Sequence, residues 1–406
     1  MNAKPKILNT AVIVAALGYF VDIYDLVLFS IVRQPSLKAL GLSPAEMESN
    51  GLWLLNIQMI GMVIGGLFWG MLGDKKGRLS VLFGSILLYS LANIANAFVV
   101  DVTQYGILRF IAGFGLAGEL GAGITLVSEI LHKEHRGWGT TIVATVGVSG
   151  AVFASFLGLN FEWTTCYILG GVFGLGLLVL RFGVFESGMY AATKASATKL
   201  GNLSLLFFNP KRLRIYLLCI LVGLPIWYCI GILITLSPEL GRELGIVGTI
   251  KPPLSIMYCY AGVTLGDLAS GVLSQVMKSR RKVLQLFVAA TLLMVIAYFF
   301  MQGQSVQHFY YLFTVLGFAA GYWAVLMTTS SEQFGTNIRA TVTTSVPNFI
   351  RAALVPISIL YGFLQHQGIT KLNSAMYTGI GCCVIAFIAA SLLHDSHGKD
   401  LDYHEE

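Results

Sequence analysis

Apolar residues run along this chain in stretches of about 20, separated by short segments that hold most of the charge. Twelve stretches long enough to cross a bilayer as helices are predicted. In the first half they fall at about 8–31, 51–73, 80–99, 103–127, 139–159 and 165–182. In the second half they fall at about 213–236, 254–276, 283–301, 306–328, 341–363 and 372–393. A helix of about 20 residues rises about 30 Å, which matches the hydrocarbon core. The first stretch sits where a signal peptide would. It has no small-residue cleavage pattern and is interrupted by Asp22 and Asp25, so it is read as a span.

The polar segments alternate in charge. With the N-terminus inside, 18 of the 26 Lys and Arg fall on its side of the membrane and 5 on the other. The remaining three, Arg109, Arg181 and Arg351, lie in or at the ends of spans. This bias predicts a multi-pass protein of the bacterial inner membrane with both termini cytoplasmic, which requires an even number of spans.

Composition agrees. Hydrophobic residues make up 56% of the chain and charged residues 11%, against about 25% charged in soluble domains. The mean hydropathy is +0.75. A soluble fold of this size has no place for so much apolar surface. The 45 glycines suit close helix contacts in lipid. A net charge of +6 would suggest nucleic acid in a soluble protein. Here the basic residues cluster between apolar stretches and set topology, so no nucleic-acid partner is expected. The six cysteines lie inside apolar runs with neither metal-site spacing nor a disulfide framework, and are read as small buried hydrophobes.

The chain repeats itself. Ser128-Glu129, Arg136-Gly137 and Thr140-Thr141 in the first half are matched by Ser331-Glu332, Arg339-Ala340 and Thr343-Thr344 in the second. Lys75 and Arg78 match Lys278 and Arg281 at the same offset. The expected architecture is therefore an all-α integral membrane protein with twelve transmembrane helices in two pseudo-symmetric six-helix bundles. Its parts are an N-terminal bundle at 1–182, a cytoplasmic linker at 183–212, and a C-terminal bundle with a short cytoplasmic tail at 213–406. Two such halves are what alternating access to a central site needs.

The run Gly70-Met71-Leu72-Gly73-Asp74-Lys75-Lys76-Gly77-Arg78 resembles the signature loop between helices two and three of the major facilitator superfamily. The second copy, at Gly271 to Arg281, is degenerate, with Gln275 where an Asp often stands. Helix four, Arg109 to Glu119 with the following Ser128-Glu129 and Arg136-Gly137, is similar to that of the metabolite–proton symporter, phosphate symporter, sugar porter and organic ion transporter branches. Phe20 to Leu26 looks most like the metabolite–proton and phosphate branches. The resemblance covers the whole chain. It implies a conformational gate in which Gly70 and Gly77 permit packing and turning. Asp74 would meet basic groups such as Arg78 and a helix N-terminus. Glu129 with Arg136, and Glu332 with Arg339, would clasp each half.

Charges inside spans are costly unless they face a cavity or a partner. Asp22 and Asp25 lie on one face of span one and Glu119 lies in span four. Buried carboxylates of this kind are candidates to exchange a proton. Asp25 is the first choice as carrier and Asp22 the second. Glu119 reads equally as a proton site or as a structural partner, and Asp267 in span eight reads chiefly as structural. Arg351 and Arg109, from opposite halves, suit an anionic substrate because an arginine keeps its proton. The alternative for Arg109 is a permanent pair with Asp22 or Asp25. Tyr24, Trp227 and Tyr228 beyond Pro225, Asn348 beside Pro347, and Trp323 are candidates to line the substrate site. Gln58 is a further polar group.

These features predict a secondary active transporter rather than an enzyme, with proton-coupled uptake of a small organic anion or related metabolite. The alternatives are a proton-driven exporter and, in another class, a non-transporting receptor or scaffold. The expected partners are a small-molecule substrate, anionic in character, and membrane lipid, with the chain acting as a monomer. No cofactor or metal is expected; a proton gradient would supply the energy.

Overall fold

A computed structural model describes residues 10–76, 78–119, 133–185 and 209–397. Their regular structure is helical, apart from an isolated bridge between Val247 and Ser305. Spans one to six are α1 (Thr10–Ala39), α2 (Pro44–Lys76), α3 (Arg78–Asn96), α4 (Val102–Leu116), α5 (Lys133–Asn160) and α6 (Trp163–Phe185). Span seven is composite: α7 (Pro210–Val222), α8 (Leu224–Tyr228) and a π-helical turn (Cys229–Ile234). A short α9 (Ser237–Glu243) follows it. Span eight is α10 (Pro252–Val276) and span nine is α11 (Arg280–Phe299). Span ten is broken into α12 (Val306–Ala320) and α13 (Trp323–Glu332), and span eleven into α14 (Thr336–Ala352) and α15 (Leu354–His366). Span twelve is α16 (Lys371–Leu392).

Local chemistry sets many of these ends. Asp101 accepts a hydrogen bond from the Gln104 backbone N–H at the start of α4, and Ser279 does the same for Lys282 at the start of α11. Asn209 caps α7 with a proline at the first turn. The break in span seven falls at Gly223, just before Pro225, whose ring lacks the N–H that would continue the ladder. Helix α1 runs on to Ala39 through Pro35, beyond the stretch that hydropathy marks. Polarity ends a hydropathy window, but it does not end backbone hydrogen bonding where the polar side chains find partners.

Span one packs on spans five and six, and spans two and three pack on span four. In the second half span eight packs on span ten, while spans seven and nine pack on span twelve. The halves meet where span five lies on span eight and span two on span eleven. Glycines make the two-on-four and eight-on-ten contacts close. A Cβ added at Gly61 or Gly65 would strike the backbone of Phe110 or Phe114, and one at Gly262 or Gly266 that of Thr314 or Phe318. The correspondence between halves extends from sequence to packing. A Cβ at Gly70 would meet no described atom within 4 Å. Among the described residues, the close approaches of α2 to α4 fall at Gly61 and Gly65.

Apolar side chains face outward and polar ones inward. Ile64, Leu91, Ile107, Val272, Leu293 and Ile388 are exposed, while Asp22, Asp25, Arg33, Arg109 and Arg351 are buried. Lipid is the solvent that such a surface suits. Ten of the spans are long and apolar enough to cross a membrane within the described residues. All six cysteines are buried and free.

Candidate functional site

Helix α1 carries Asp22 and Asp25 into the centre of the molecule, where both are fully buried. Arg351 reaches Asp22 from the last turn of α14, with Nη2 donating to Oδ2 at 3.2 Å. This ion pair joins the two halves. It leaves Asp22 Oδ1 and the Nε and Nη1 of Arg351 without hydrogen-bond partners among the described residues. A buried pair so incompletely satisfied has little margin over its desolvation cost. Pro347, inside α14, and the break before Leu354 flank Arg351, and a proline lacks the N–H that continues the backbone ladder.

Asp25 has no ion pair among the described residues, although it is fully buried. Its Oδ1 lies against Gly170 of α6, where any larger residue would collide with it. The side-chain amide of Asn93 on α3 stands beside the Asp25 carboxyl. Arg109 contributes an opposite charge nearby.

Arg109, fully buried in α4, donates to Gln58 Oε1 on α2 and lies 5.1 Å from the Phe29 ring centroid. Its Nε and Nη1 are unpartnered. A permanent ion pair with Asp22 or Asp25 is absent: Asp22 is held by Arg351, and Gln58 is the hydrogen-bonding partner of Arg109. Glu119 pairs with Arg181 of α6 through both oxygens, one bond being Nη1 to Oε2 at 3.0 Å. The pair joins span four to span six within the first half.

The lining candidates divide. Tyr24 donates to the Cys166 carbonyl at 2.8 Å, and Tyr228 to the Ala375 carbonyl at 2.6 Å. Both hydroxyls are thus bound to backbone within their own halves. Asn348 donates to the Ala117 carbonyl at 3.1 Å, a second link between halves. Trp227 is buried, and its indole N–H has no hydrogen-bond partner among the described residues. Trp323 begins α13 with its side chain near Tyr19, which is within electrostatic reach of Arg351, Asp22 and Asp267.

Among the gate candidates, Glu332 pairs with Arg280 at 3.3 Å and accepts from Ser396 at 2.6 Å. The expected pairing partner Arg339 belongs to α14, but its side chain lies outside the described residues. The same holds for the side chains of Asp74, Arg78 and Arg136, and for the whole of Gly77 and Glu129.

One constellation was not read from the sequence. Arg33 of α1 pairs with Glu239 of α9 at 2.7 Å and donates to the carbonyls of Thr235 and Met47. Lys371 pairs with Glu48 at 2.7 Å, and Asn56 and Ser358 exchange hydrogen bonds of 2.8 and 2.9 Å. All three sets bridge the halves at the end of the bundle that carries the turn between spans one and two. The signal was present: Arg33 closes an apolar helix and Glu239 follows a broken one. The tally of Lys and Arg places Arg33 among the five on the outer side and passes over Glu239.

The sequence profile of the Major Facilitator Superfamily matches residues 15–357. A Bacillus subtilis protein named for niacin and nicotinamide transport is 27% identical over 94% of this chain and 94% of its own length. A Cupriavidus pinatubonensis protein named for 4-methylmuconolactone transport is 25% identical over 92% of this chain and 86% of its own. The crystal structure of a D-xylose–proton symporter shares the fold, with a TM-score of 0.70 at 17% identity over 97% of this chain and 99% of that one. With the profile covering most of its length and the twelve-helix fold shared from end to end, this multi-pass membrane chain belongs to the Major Facilitator Superfamily of transporters.

Proposed function

We propose that the chain imports a small organic acid together with protons across a bacterial inner membrane, with both termini in the cytoplasm. The single observation that carries this reading is Asp25: a fully buried carboxyl with no ion-pair partner among the described residues, one helical turn from the Asp22–Arg351 pair. A group so placed gains by taking a proton when the site opens to the acidic side and loses it on the other. Arg109 and Arg351 together supply more positive charge than Asp22 alone offsets. A substrate carboxylate can take up the free guanidinium edges of both, competing with Asp22 for Arg351 and so loosening the link between halves. The relatives named for niacin and 4-methylmuconolactone transport favour small organic solutes, and niacin is itself a carboxylic acid. The excess of Lys and Arg on the N-terminal side supports the orientation. A single chain supplies both halves of the site, which suits a monomer.

The test is uptake into proteoliposomes, with labelled nicotinate and benzoate as probes. An inward proton gradient is expected to drive accumulation in the wild type. Asp25→Asn is expected to abolish that accumulation while retaining counterflow exchange. Accumulation unchanged in Asp25→Asn would remove Asp25 from the proton pathway. Efflux driven by the same gradient would reverse the direction proposed.

A further inference from the structure

Span ten breaks in the middle of the molecule. Helix α12 ends at Ala320, Gly321 and Tyr322 leave helical geometry (Tyr322 φ −129°, ψ 21°), and α13 restarts at Trp323. A restarted helix has first-turn N–H groups without partners. Tyr322, at the capping position, supplies no side-chain hydrogen bond to them. The cap comes from another span. Asp267 of α10 accepts from the Ala324 N–H through Oδ1 at 3.2 Å. Spans eight and ten touch through their backbones at this point. A Cβ on Gly321 would lie 2.7 Å from Gly266 Cα and 2.9 Å from Asp267 N.

Asp267 is buried, 8% exposed, and forms no ion pair among the described residues, while its Oδ2 has no hydrogen-bond partner there. Its compensation is the amino end of α13, where aligned peptide dipoles favour a carboxylate. The residue next to the capped N–H is Trp323, whose side chain lies near Tyr19, itself within electrostatic reach of Asp22 and Arg351. Asp267 and the start of α13 therefore lie in the same neighbourhood as Tyr19 and the central ion pair.

We propose that Asp267 is a positioning residue: a cap supplied by span eight that fixes the restart of span ten and thereby holds Trp323 against the central site. The break gives span ten two segments free to pivot about Gly321, and the Asp267 contact selects one arrangement of them. The capping role requires an acceptor oxygen at this position and does not require a negative charge, so the amide of asparagine fulfils it. Serine is too short to reach Ala324.

The experiment uses the full chain purified into lipid nanodiscs with 5-fluorotryptophan, the Trp323 fluorine resonance being assigned by its loss in Trp323→Phe. Asp267→Ser is expected to shift or broaden that resonance. It should also speed hydrogen exchange in the peptide covering 322–328 by about fivefold or more, as loss of a cap does. Asp267→Asn is expected to keep both at wild-type values. A Ser variant unchanged in both readouts overturns the proposal, and so does an Asn variant displaced as far as the Ser one. Should the Ser variant not fold, Asp267→Asn decides alone: wild-type values support the cap and displaced values refute it. Neither readout requires a substrate, so the outcome is separate from the test of proton-coupled uptake.

Discussion

At the scale of single residues, the central ion pair governs the most. Removing one partner of a buried pair leaves the other charge uncompensated, at a cost of about 3–5 kcal/mol, whereas removing both costs less. Asp22→Asn and Arg351→Gln are each expected to lower the thermal stability of the purified protein, and the double variant to lose less than the two together. Additive losses would show that the 3.2 Å contact carries no coupling. Arg351→Lys should stay folded but bind the carboxylate probes at least tenfold more weakly, because an ammonium lacks the planar fork. Unaltered affinity would leave Arg351 with a purely structural role. The charges themselves were legible in the sequence, since intramembrane Asp and Arg stand out against an apolar background. Their pairing was not. Asp22 and Arg351 are separated by most of the chain, and nothing local in either helix distinguishes Arg351 from Arg109 as the partner of Asp22.

Elements bring in the glycines and the breaks. Gly61 and Gly65 set α2 directly on the backbone of α4, and Gly262 and Gly266 do the same for α10 on α12. Gly65→Val forces these backbones apart, with an expected loss of about 1–3 kcal/mol from overpacking. Gly70→Val is expected to cost less than half as much, since a Cβ there meets no described atom. Thermal denaturation of both variants checks the contrast, and equal losses would contradict it. The break in span seven was legible because Pro225 cannot continue a helix. The break at Gly321 was not, because its cause is a neighbouring span: Gly266 occupies the space and Asp267 holds the restart.

For the molecule as a whole, the decisive feature is where the halves are tied. Arg33–Glu239, Lys371–Glu48 and Asn56–Ser358 join them at one end, with Asp22–Arg351 and Asn348–Ala117 further along the bundle. In the proposed orientation the first group closes the outside. Glu239→Gln weakens that closure by removing the partner of a buried arginine, and should shift the population toward the outward-open state. The measurement is the rate at which an impermeant maleimide modifies Ser30→Cys in a background lacking the native cysteines. Ser30 is buried and bonded to Thr235 across the same seam. Faster labelling in Glu239→Gln is expected, and an unchanged rate would mean that this pair does not hold the gate. By itself the sequence determined the solvent, the number of spans, the twofold repeat of a six-helix unit and the family resemblance. Each of these is written in local hydropathy, charge bias and short motifs that survive without long-range contacts. Tertiary structure alone decided which charge meets which: Arg351 with Asp22, Arg181 with Glu119, Arg33 with Glu239, and Asp25 with none of them among the described residues. Partner choice in a low-dielectric interior depends on distances of a few ångströms between helices far apart in the chain, and hydropathy carries no information about those distances.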